Sequence, residues 1–237
     1  MHLIFELLSF TLGFQYYQWL RKRVSDPITT EQRWLIFIGA AGGAFFGSHV
    51  LGILERPDLI DQWTLVYFFA NKTILGGLLG GLIGVELVKK IIGVRASSGD
   101  LMTFPIMLGM GIGRMGCHLA GKADGTYGIP TSLPWGIDLG DGIPRHPVNL
   151  YEICFLACLA FFILWLENRR PLADGVRFKI FMIGYLLWRL CIEWLKPVWF
   201  FPFGLSTLQL AAIAGLLYYT PWMLRSTTTF SSKTKPN

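Results

Sequence analysis

Residues 148–166 read VNLYEICFLACLAFFILWL, and this run decides what kind of fold the chain adopts. It holds 19 residues, with Glu152 as its one charged side chain. A helix of about 20 predominantly apolar residues spans the ~30 Å hydrocarbon core of a bilayer. Because a helix also satisfies its own backbone hydrogen bonds, which hydrocarbon cannot do, the run predicts a transmembrane helix.

Six further apolar runs lead to the same prediction. Their approximate limits are Leu3–Leu20, Trp34–Leu54, Trp63–Ile92, Leu101–Gly121, Phe178–Leu195 and Leu205–Leu224. Only 15% of the residues are charged, whereas soluble domains contain about 25%. We therefore expect an all-α polytopic membrane protein with about seven transmembrane helices. These form a single membrane domain over residues 1–225, followed by a short tail at 226–237.

The basic residues indicate an orientation, because lysine and arginine are retained on the cytoplasmic side of the membrane. Fourteen of the 21 lie in the segments that follow the odd-numbered runs, whereas the alternate segments hold only Arg56, Lys122, Arg145 and Lys196. This pattern predicts an N-terminus outside, a cytoplasmic C-terminus and an extracytoplasmic loop at 122–147. Since retention explains most of the net charge of +6, we expect no nucleic-acid partner.

Three basic residues lie inside the apolar runs: Lys72, Arg114 and Arg189. A cation within a membrane helix costs roughly 2.5–3.5 kcal/mol on insertion scales, so it requires a partner or a wet cavity and marks a candidate functional site. Lys72 is near the end of its run, where its side chain can extend to the interface. Arg114 and Arg189 lie deeper, and a structural salt bridge is the alternative to a functional role for each.

Two short motifs bring further polar groups to the same depth. Arg189 and Glu193 are four residues apart on one helix face, which is also compatible with a self-neutralising pair. Arg145 and His146 precede Pro147, which suits a helix start and leaves the helix N-terminus open to an anion; a simple helix start is the alternative. Cations for a phosphate, beside a histidine or carboxylate for proton transfer, suit a phospholipid substrate. The residues expected to converge are Arg114, Arg145, His146, Tyr151, Glu152, Arg189 and Glu193.

Other patterns in the sequence indicate packing rather than chemistry. Gly76, Gly80 and Gly84 are spaced four apart, which favours close helix packing. The GxGxxG pattern at 111–116 follows no strand, so we do not interpret it as a nucleotide site. Cys117 and His118 have no second pair of ligands at metal spacing. We therefore expect neither a metal nor a cofactor.

Three segments together resemble one family. They are Gly111–Gly128 (GIGRMGCHLAGKADGTYG), Arg145–Glu152 (RHPVNLYE) and Gly184–Glu193 (GYLLWRLCIE). This combination resembles the bacterial prolipoprotein diacylglyceryl transferases. The resemblance implies transfer of diacylglyceryl from phosphatidylglycerol to the lipobox cysteine thiol of a prolipoprotein. It also implies a site at the outer face of the cytoplasmic (inner) membrane.

The resemblance assigns roles to particular residues. Arg114 matches the family's signature arginine, Gly125 its signature glycine, and Arg189 with Glu193 its late arginine–glutamate pair. The catalytic residues it implies are Arg114, His146, Glu152, Arg189 and Glu193. The residues implied to bind the phospholipid are Arg114, Gly125, Arg145, Tyr151 and Arg189. We expect His146 to be the base for the thiol, with Glu152 orienting it or with Glu193 holding Arg189.

Two positions depart from the family pattern. Leu75 stands where the family has a histidine, and Cys117 where it has an asparagine. Both bear on thiol activation and leave the acceptor open. A related phospholipid-dependent transferase with a different acceptor is therefore a second hypothesis. A lipid-binding or transport protein without chemistry is the third, although the internal repeat expected of many transporters is absent from the sequence.

Overall fold

The computed structural model describes residues 2–62 and 64–225, so the tail expected at 226–237 lies outside the described residues. Within this part of the chain, eight α-helices are joined by short loops and 3-10 turns. The helices are α1 (His2–Arg21), α2 (Thr30–Leu54), α3 (Leu65–Ala70), α4 (Ile74–Ile91), α5 (Thr103–Ala120), α6 (Val148–Arg169), α7 (Val176–Ile192) and α8 (Thr207–Arg225). A two-stranded antiparallel sheet, β1 (Ile137–Asp138) and β2 (Pro144–Arg145), lies in the long loop between α5 and α6.

The helices follow the seven apolar runs, with one break. The third run was predicted to be a single helix, which is wrong, because residues 71–73 interrupt it between α3 and α4. The Asn71 side chain donates a hydrogen bond to the Tyr67 carbonyl at the end of α3 (2.7 Å), and the Thr73 hydroxyl accepts one from the Gly76 N–H in α4 (3.1 Å). Lys72 lies in the break and forms an ion pair with Glu6 of α1.

The surface of the bundle exposes more large apolar side chains than is usual for a soluble protein. Phe10 is 77% exposed and Phe161 is 71% exposed, and many other large apolar side chains also face outward. Extensive exposed apolar surface marks contact with lipid or a partner. Two helices, α2 and α6, are long and apolar enough to cross a membrane. The described chain therefore has the features of an all-helical membrane protein.

Polar contacts tie the loops together at each end of the bundle. At the end that we call the basic end, formed by residues 22–29, 92–99 and 170–175, Arg33 pairs with Asp26 (2.7 Å) and donates to the Ser98 carbonyl (3.0 Å). There, Asp100 accepts a hydrogen bond from the Phe178 N–H at the start of α7 (3.0 Å). At the opposite end, the Ile129 N–H in the long loop donates to the Leu195 carbonyl after α7 (2.9 Å).

Glycines let α2 and α4 approach backbone to backbone. A β-carbon placed on Gly80 would lie 2.2 Å from the carbonyl oxygen of Gly43, and one on Gly84 would lie 2.0 Å from that of Gly39. The close packing predicted from Gly76, Gly80 and Gly84 is confirmed. The matching glycines of α2, among them Gly39, Gly43 and Gly47, were not identified from the sequence.

Alanine substitutions in α2 separate the effect of close packing on stability from the effect of helix propensity. In Gly43→Ala the new methyl group would meet the Gly80 carbonyl at 2.2 Å, and overpacking of this kind costs about 1–3 kcal/mol. We expect a lower thermal midpoint for the purified protein in detergent. The matched control is Gly42→Ala, because no atom lies within 4 Å of a β-carbon there. Equal midpoints for the two variants would contradict the packing.

Candidate active site

A buried cluster of four charged side chains lies near the end opposite the basic end. Glu152 of α6 forms an ion pair with Arg114 of α5 (2.9 Å) and lies 3.9 Å from Arg189 of α7. Arg189 also pairs with Glu193, just after α7 (2.8 Å). The Tyr185 hydroxyl donates to the other oxygen of Glu152 (2.7 Å). We call these five residues the buried cluster.

The cluster is deeply shielded, and its four formal charges cancel. Glu152 is 1% exposed, and Arg114 and Arg189 are 6% and 3% exposed. Buried ions of this kind persist only when opposite charges and hydrogen bonds offset the loss of hydration. The structure thus brings together four of the residues predicted to form the site. Tyr185 was not singled out in the sequence, although it lies four residues before Arg189 and therefore on the same helix face.

Arg189 keeps hydrogen-bonding capacity that the described residues do not use. Its Nε and Nη1 atoms are buried without a hydrogen-bond partner, and only Nη2 contacts Glu193. Leaving a buried donor unsatisfied costs about 1–3 kcal/mol, and more for a charged group. These two donors lie on different edges of the guanidinium, each edge shared with Nη2, and a phosphate oxygen at either edge would accept a charge-assisted hydrogen bond.

A second group of predicted residues lies at the start of α6. The Nδ1 atom of His146 is 3.3 Å from the Tyr151 hydroxyl, and the indole N–H of Trp135 donates to the same hydroxyl (2.7 Å). Trp135 belongs to the long loop and was not predicted from the sequence. It fixes the position of Tyr151 and, through it, the ring of His146.

Arg145 is held within the long loop. It pairs with Asp141 (2.5 Å), donates to the Ile143 carbonyl (3.1 Å) and lies over the Tyr127 ring. The hydrogen bonds from Arg145, and then from Lys122, hold the pKa of Asp141 well below its usual range. Among the described residues, the partners found for Arg145 all belong to the loop. The structure therefore does not show the predicted convergence of Arg145 with Arg114 and Arg189.

Gly125 shapes the beginning of the same loop. Its φ of 72° lies in the left-handed region, which glycine adopts without the strain that a β-carbon brings. The next residue, Thr126, donates to Asp124 and accepts a hydrogen bond from the Asn149 side chain in α6 (3.3 Å). Gly125 thus allows the chain to turn from the end of α5 towards α6.

The charges of the buried cluster change the pKa of two further titratable groups. Burial, followed by the nearby cations Arg189 and Arg114, lowers the pKa of the half-buried Lys196 to about 8. Burial, followed by the carboxylate of Glu193, raises the pKa of Glu55 at the end of α2. In the sequence Lys196 counted only as an orientation charge. Its position three residues after Glu193 was the one available signal that it lies near the cluster.

The two positions that depart from the family pattern lie in different surroundings. Leu75 is 1% exposed and belongs to the same buried hydrophobic cluster as Tyr185. Cys117 lines a small cavity together with His118, Arg145 and His146. Within residues 2–62 and 64–225, no three histidine, cysteine or acidic side chains are grouped to hold a metal ion.

Fold and site together define a class of protein: a helical membrane protein with a buried arginine–glutamate cluster near one end of the bundle. Residues 3–224 match the model of a family described as Prolipoprotein diacylglyceryl transferase. The chain belongs to this family.

Individual relatives agree with the family assignment. A phosphatidylglycerol–prolipoprotein diacylglyceryl transferase of Bordetella bronchiseptica is 36% identical over 209 residues, covering 83% of this chain and 76% of the relative. The protein of the same name from Nitratidesulfovibrio vulgaris strain DP4 is 28% identical over 239 residues, covering 92% of this chain and 88% of the relative. The similarity therefore extends over the whole bundle rather than over the motifs alone.

The electrostatics of the site predict unusual reactivity for Lys196. Competitive acetylation followed across pH, with the peptide read by mass spectrometry, is expected to reach half-reaction near pH 8, compared with about 10.4 for an ordinary lysine. In Arg189→Gln the midpoint rises, because the cation that disfavours the protonated amine is gone. Arg56→Gln is the control, since Arg56 pairs with exposed Asp58. A Lys196 acetylation midpoint at about pH 10.4 in the unsubstituted protein would contradict the lowered pKa of this lysine.

Proposed function

We propose that this protein transfers the diacylglyceryl group of phosphatidylglycerol to a cysteine thiol of a prolipoprotein, a step of lipoprotein biogenesis. The observation that carries the proposal is the pair of buried arginines, Arg114 and Arg189, held by Glu152 and Glu193 with two donors of Arg189 unused. A phosphate group is the ligand that such donors bind best. Membership of the transferase family and the names of the relatives support the same reaction.

We place the protein in the bacterial inner membrane as one bundle of seven spanning helices, with α3 as a short segment at one end. The N-terminus is outside and the basic end is cytoplasmic. The support is that the loops of the basic end, together with the helix ends beside them, carry about half of the lysines and arginines, as cytoplasmic retention predicts. The buried cluster lies near the other end, so the active site faces the extracytoplasmic side and the loop at 122–147 covers it.

Stabilisation of the negative charge that develops on the phosphate is the proposed source of catalysis. The cysteine sulfur of the acceptor attacks the glyceryl carbon, the carbon–oxygen bond to the phosphate breaks, and glycerol 1-phosphate leaves with the bonding electrons. Negative charge on the phosphate oxygens grows during this step. Arg114 and Arg189, already fixed by Glu152 and Glu193, stabilise that charge without having to reorganise.

The acceptor thiol must also lose its proton, since the thiolate is the nucleophile. His146 is the proposed base, and Tyr151 positions its ring and binds the phosphate or a glyceryl oxygen. Of the two supporting roles foreseen for the glutamates, the contacts favour the one in which Glu193 holds Arg189 (2.8 Å). Glu152 instead joins Arg114 to Tyr185. Arg145 and Gly125 contribute by shaping the loop next to the bound lipid.

Substitution of the arginines tests the site. Arg114→Ala and Arg189→Ala are each expected to lower diacylglyceryl transfer in membranes by more than about 100-fold, the scale on which loss of a transition-state donor acts. His146→Ala is expected to lower it about 100-fold, as loss of a general base does. Arg169→Ala is the control, because Arg169 stacks on Trp165 towards the basic end. Full activity of Arg114→Ala at equal expression would refute the assignment.

The acceptor is tested separately. The gene is expected to rescue a conditional diacylglyceryl transferase mutant, and the purified protein to attach diacylglyceryl to a lipobox peptide containing cysteine but not to its serine counterpart. The second hypothesis, a different acceptor, draws on Leu75, whose apolar side chain occupies the family's histidine position. Consumption of phosphatidylglycerol without modification of the peptide would favour that hypothesis. No consumption at all would refute both.

A further inference from the structure

A cavity of about 450 Å³ opens between α1 and α2 towards the basic end. It is separate from the buried cluster, which lies near the opposite end of the helices. Along most of their length α1 packs against α5 and α2 packs against α4. The cavity therefore lies between two helices whose main packing partners are elsewhere, and the proposed reaction does not use it.

The deeper part of this cavity is aromatic. Phe14 of α1 and Phe37 of α2 face each other with ring centroids 6.3 Å apart, and Tyr17 meets Phe37 edge to face at 5.1 Å. Trp34, also at the wall, is 56% exposed. Tryptophan at this level is typical of a side chain in the membrane interface. These rings contact one another and form an apolar wall of the cavity, against which a hydrocarbon chain can pack.

The mouth of the cavity is positively charged. Arg21, Lys22 and Arg33 line it, and one carboxylate, Asp26, pairs with both arginines (3.0 Å and 2.7 Å). Burial opposes ionisation of Asp26, but the hydrogen bonds from Arg33 and the Ile28 N–H, together with the charges of Arg33 and Arg21, outweigh it and lower the pKa of this carboxyl. Three cations therefore face one anion. The Lys22 ammonium is exposed and has no ion pair among the described residues, so the excess charge is available to a ligand.

One polar group within the cavity wall has a neighbouring cation but no well-aligned hydrogen bond. Tyr17 is 3% exposed, and its hydroxyl lies near the Arg21 guanidinium without a hydrogen bond of good geometry among the described residues. A buried hydroxyl whose hydrogen bonding is incomplete carries a cost of up to about 1–3 kcal/mol. Tyr17 lies one helical turn from Arg21, between the charged mouth and the aromatic wall. An ester or phosphate oxygen at that level would satisfy it.

We propose that this cavity binds one anionic phospholipid of the leaflet at the basic end, with its phosphate at Lys22 and Arg21 and an acyl chain along Phe14 and Phe37. Lys22, the first residue after α1, follows Phe14 of α1 by eight residues, which is about 12 Å along a helix. That separation matches the distance from a headgroup to the upper part of its acyl chain. The bound lipid fills the space between α1 and α2 and is distinct from the phospholipid consumed at the active site.

The sign of the excess charge selects the occupant. A zwitterionic lipid has a headgroup of zero net charge, and its cation would be repelled by Lys22. An anionic lipid has a headgroup with a net negative charge, which complements the excess positive charge at the mouth. A basic side chain near an anionic headgroup favours binding about fivefold. An apolar helix from another protein would fill the cavity, but it would leave the three cations and the Tyr17 hydroxyl without new partners.

Native mass spectrometry of the purified full chain tests this. The protein is exchanged into detergent containing equal amounts of phosphatidylserine and phosphatidylcholine. Neither lipid is phosphatidylglycerol, so binding is read without turnover. We expect phosphatidylserine to be retained in preference, and retention to fall about fivefold in Lys22→Gln and measurably in Tyr17→Phe.

The matched control is Lys90→Gln, which removes the same charge near the same end of the bundle but from the last turn of α4. It is expected to retain phosphatidylserine as the unsubstituted protein does, and all three variants are expected to elute as folded protein and keep transferase activity. Equal retention in Lys22→Gln and Lys90→Gln would overturn the proposal. Equal retention of the two lipids by the unsubstituted protein would overturn it as well.

Discussion

The site depends on the ion pairs that the Glu152 carboxylate forms with Arg114 and Arg189. The carboxylate lies between two guanidinium groups contributed by different helices, and a tyrosine hydroxyl completes its hydrogen bonding. A charge this deeply buried would be strongly unfavourable alone, so α5, α6 and α7 must assemble in the register that brings Arg114, Glu152 and Arg189 together. The same constraint sets the orientation of both arginines before any ligand arrives.

Hydropathy was sufficient to locate the helices, because each apolar run is long and is bounded by polar or basic residues. It failed at residues 71–73, where two helix ends are stabilised by the side chains of Asn71 and Thr73 inside a run whose average remains apolar. A window average does not detect a break of three residues. The close approach of α2 to α4 was predictable from the glycines of one helix, whereas the identity of the facing helix required the three-dimensional structure.

The candidate site was predictable to the extent that charge is rare inside membrane helices. Arg114 and Arg189 stood out for that reason, the stretch from Arg145 to Glu152 added further polar groups at the same depth, and the family pattern then implied roles for them. Lys196 and Tyr185 did not stand out, since a lysine in a loop and a tyrosine in a helix are ordinary in sequence. Their significance comes from burial and from the charges around them, which depend on how three helices meet. Arg145 was singled out beside His146, but its partners Asp141 and Ile143 belong to the loop, and these contacts could not be read from the sequence.

The loop between α5 and α6 is fastened by Asp141, which bonds to both Arg145 and Lys122. Because these cations lower the pKa of Asp141, the carboxylate loses its charge only as the pH falls through that lowered value, well into the acid range. The ion pairs of Asp141 with Arg145 and Lys122 therefore persist in an acidic medium that would protonate an ordinary aspartate. They lie on the surface, however, where added salt weakens ion pairs. Ionic strength, rather than acidity, is the solution variable that loosens this loop.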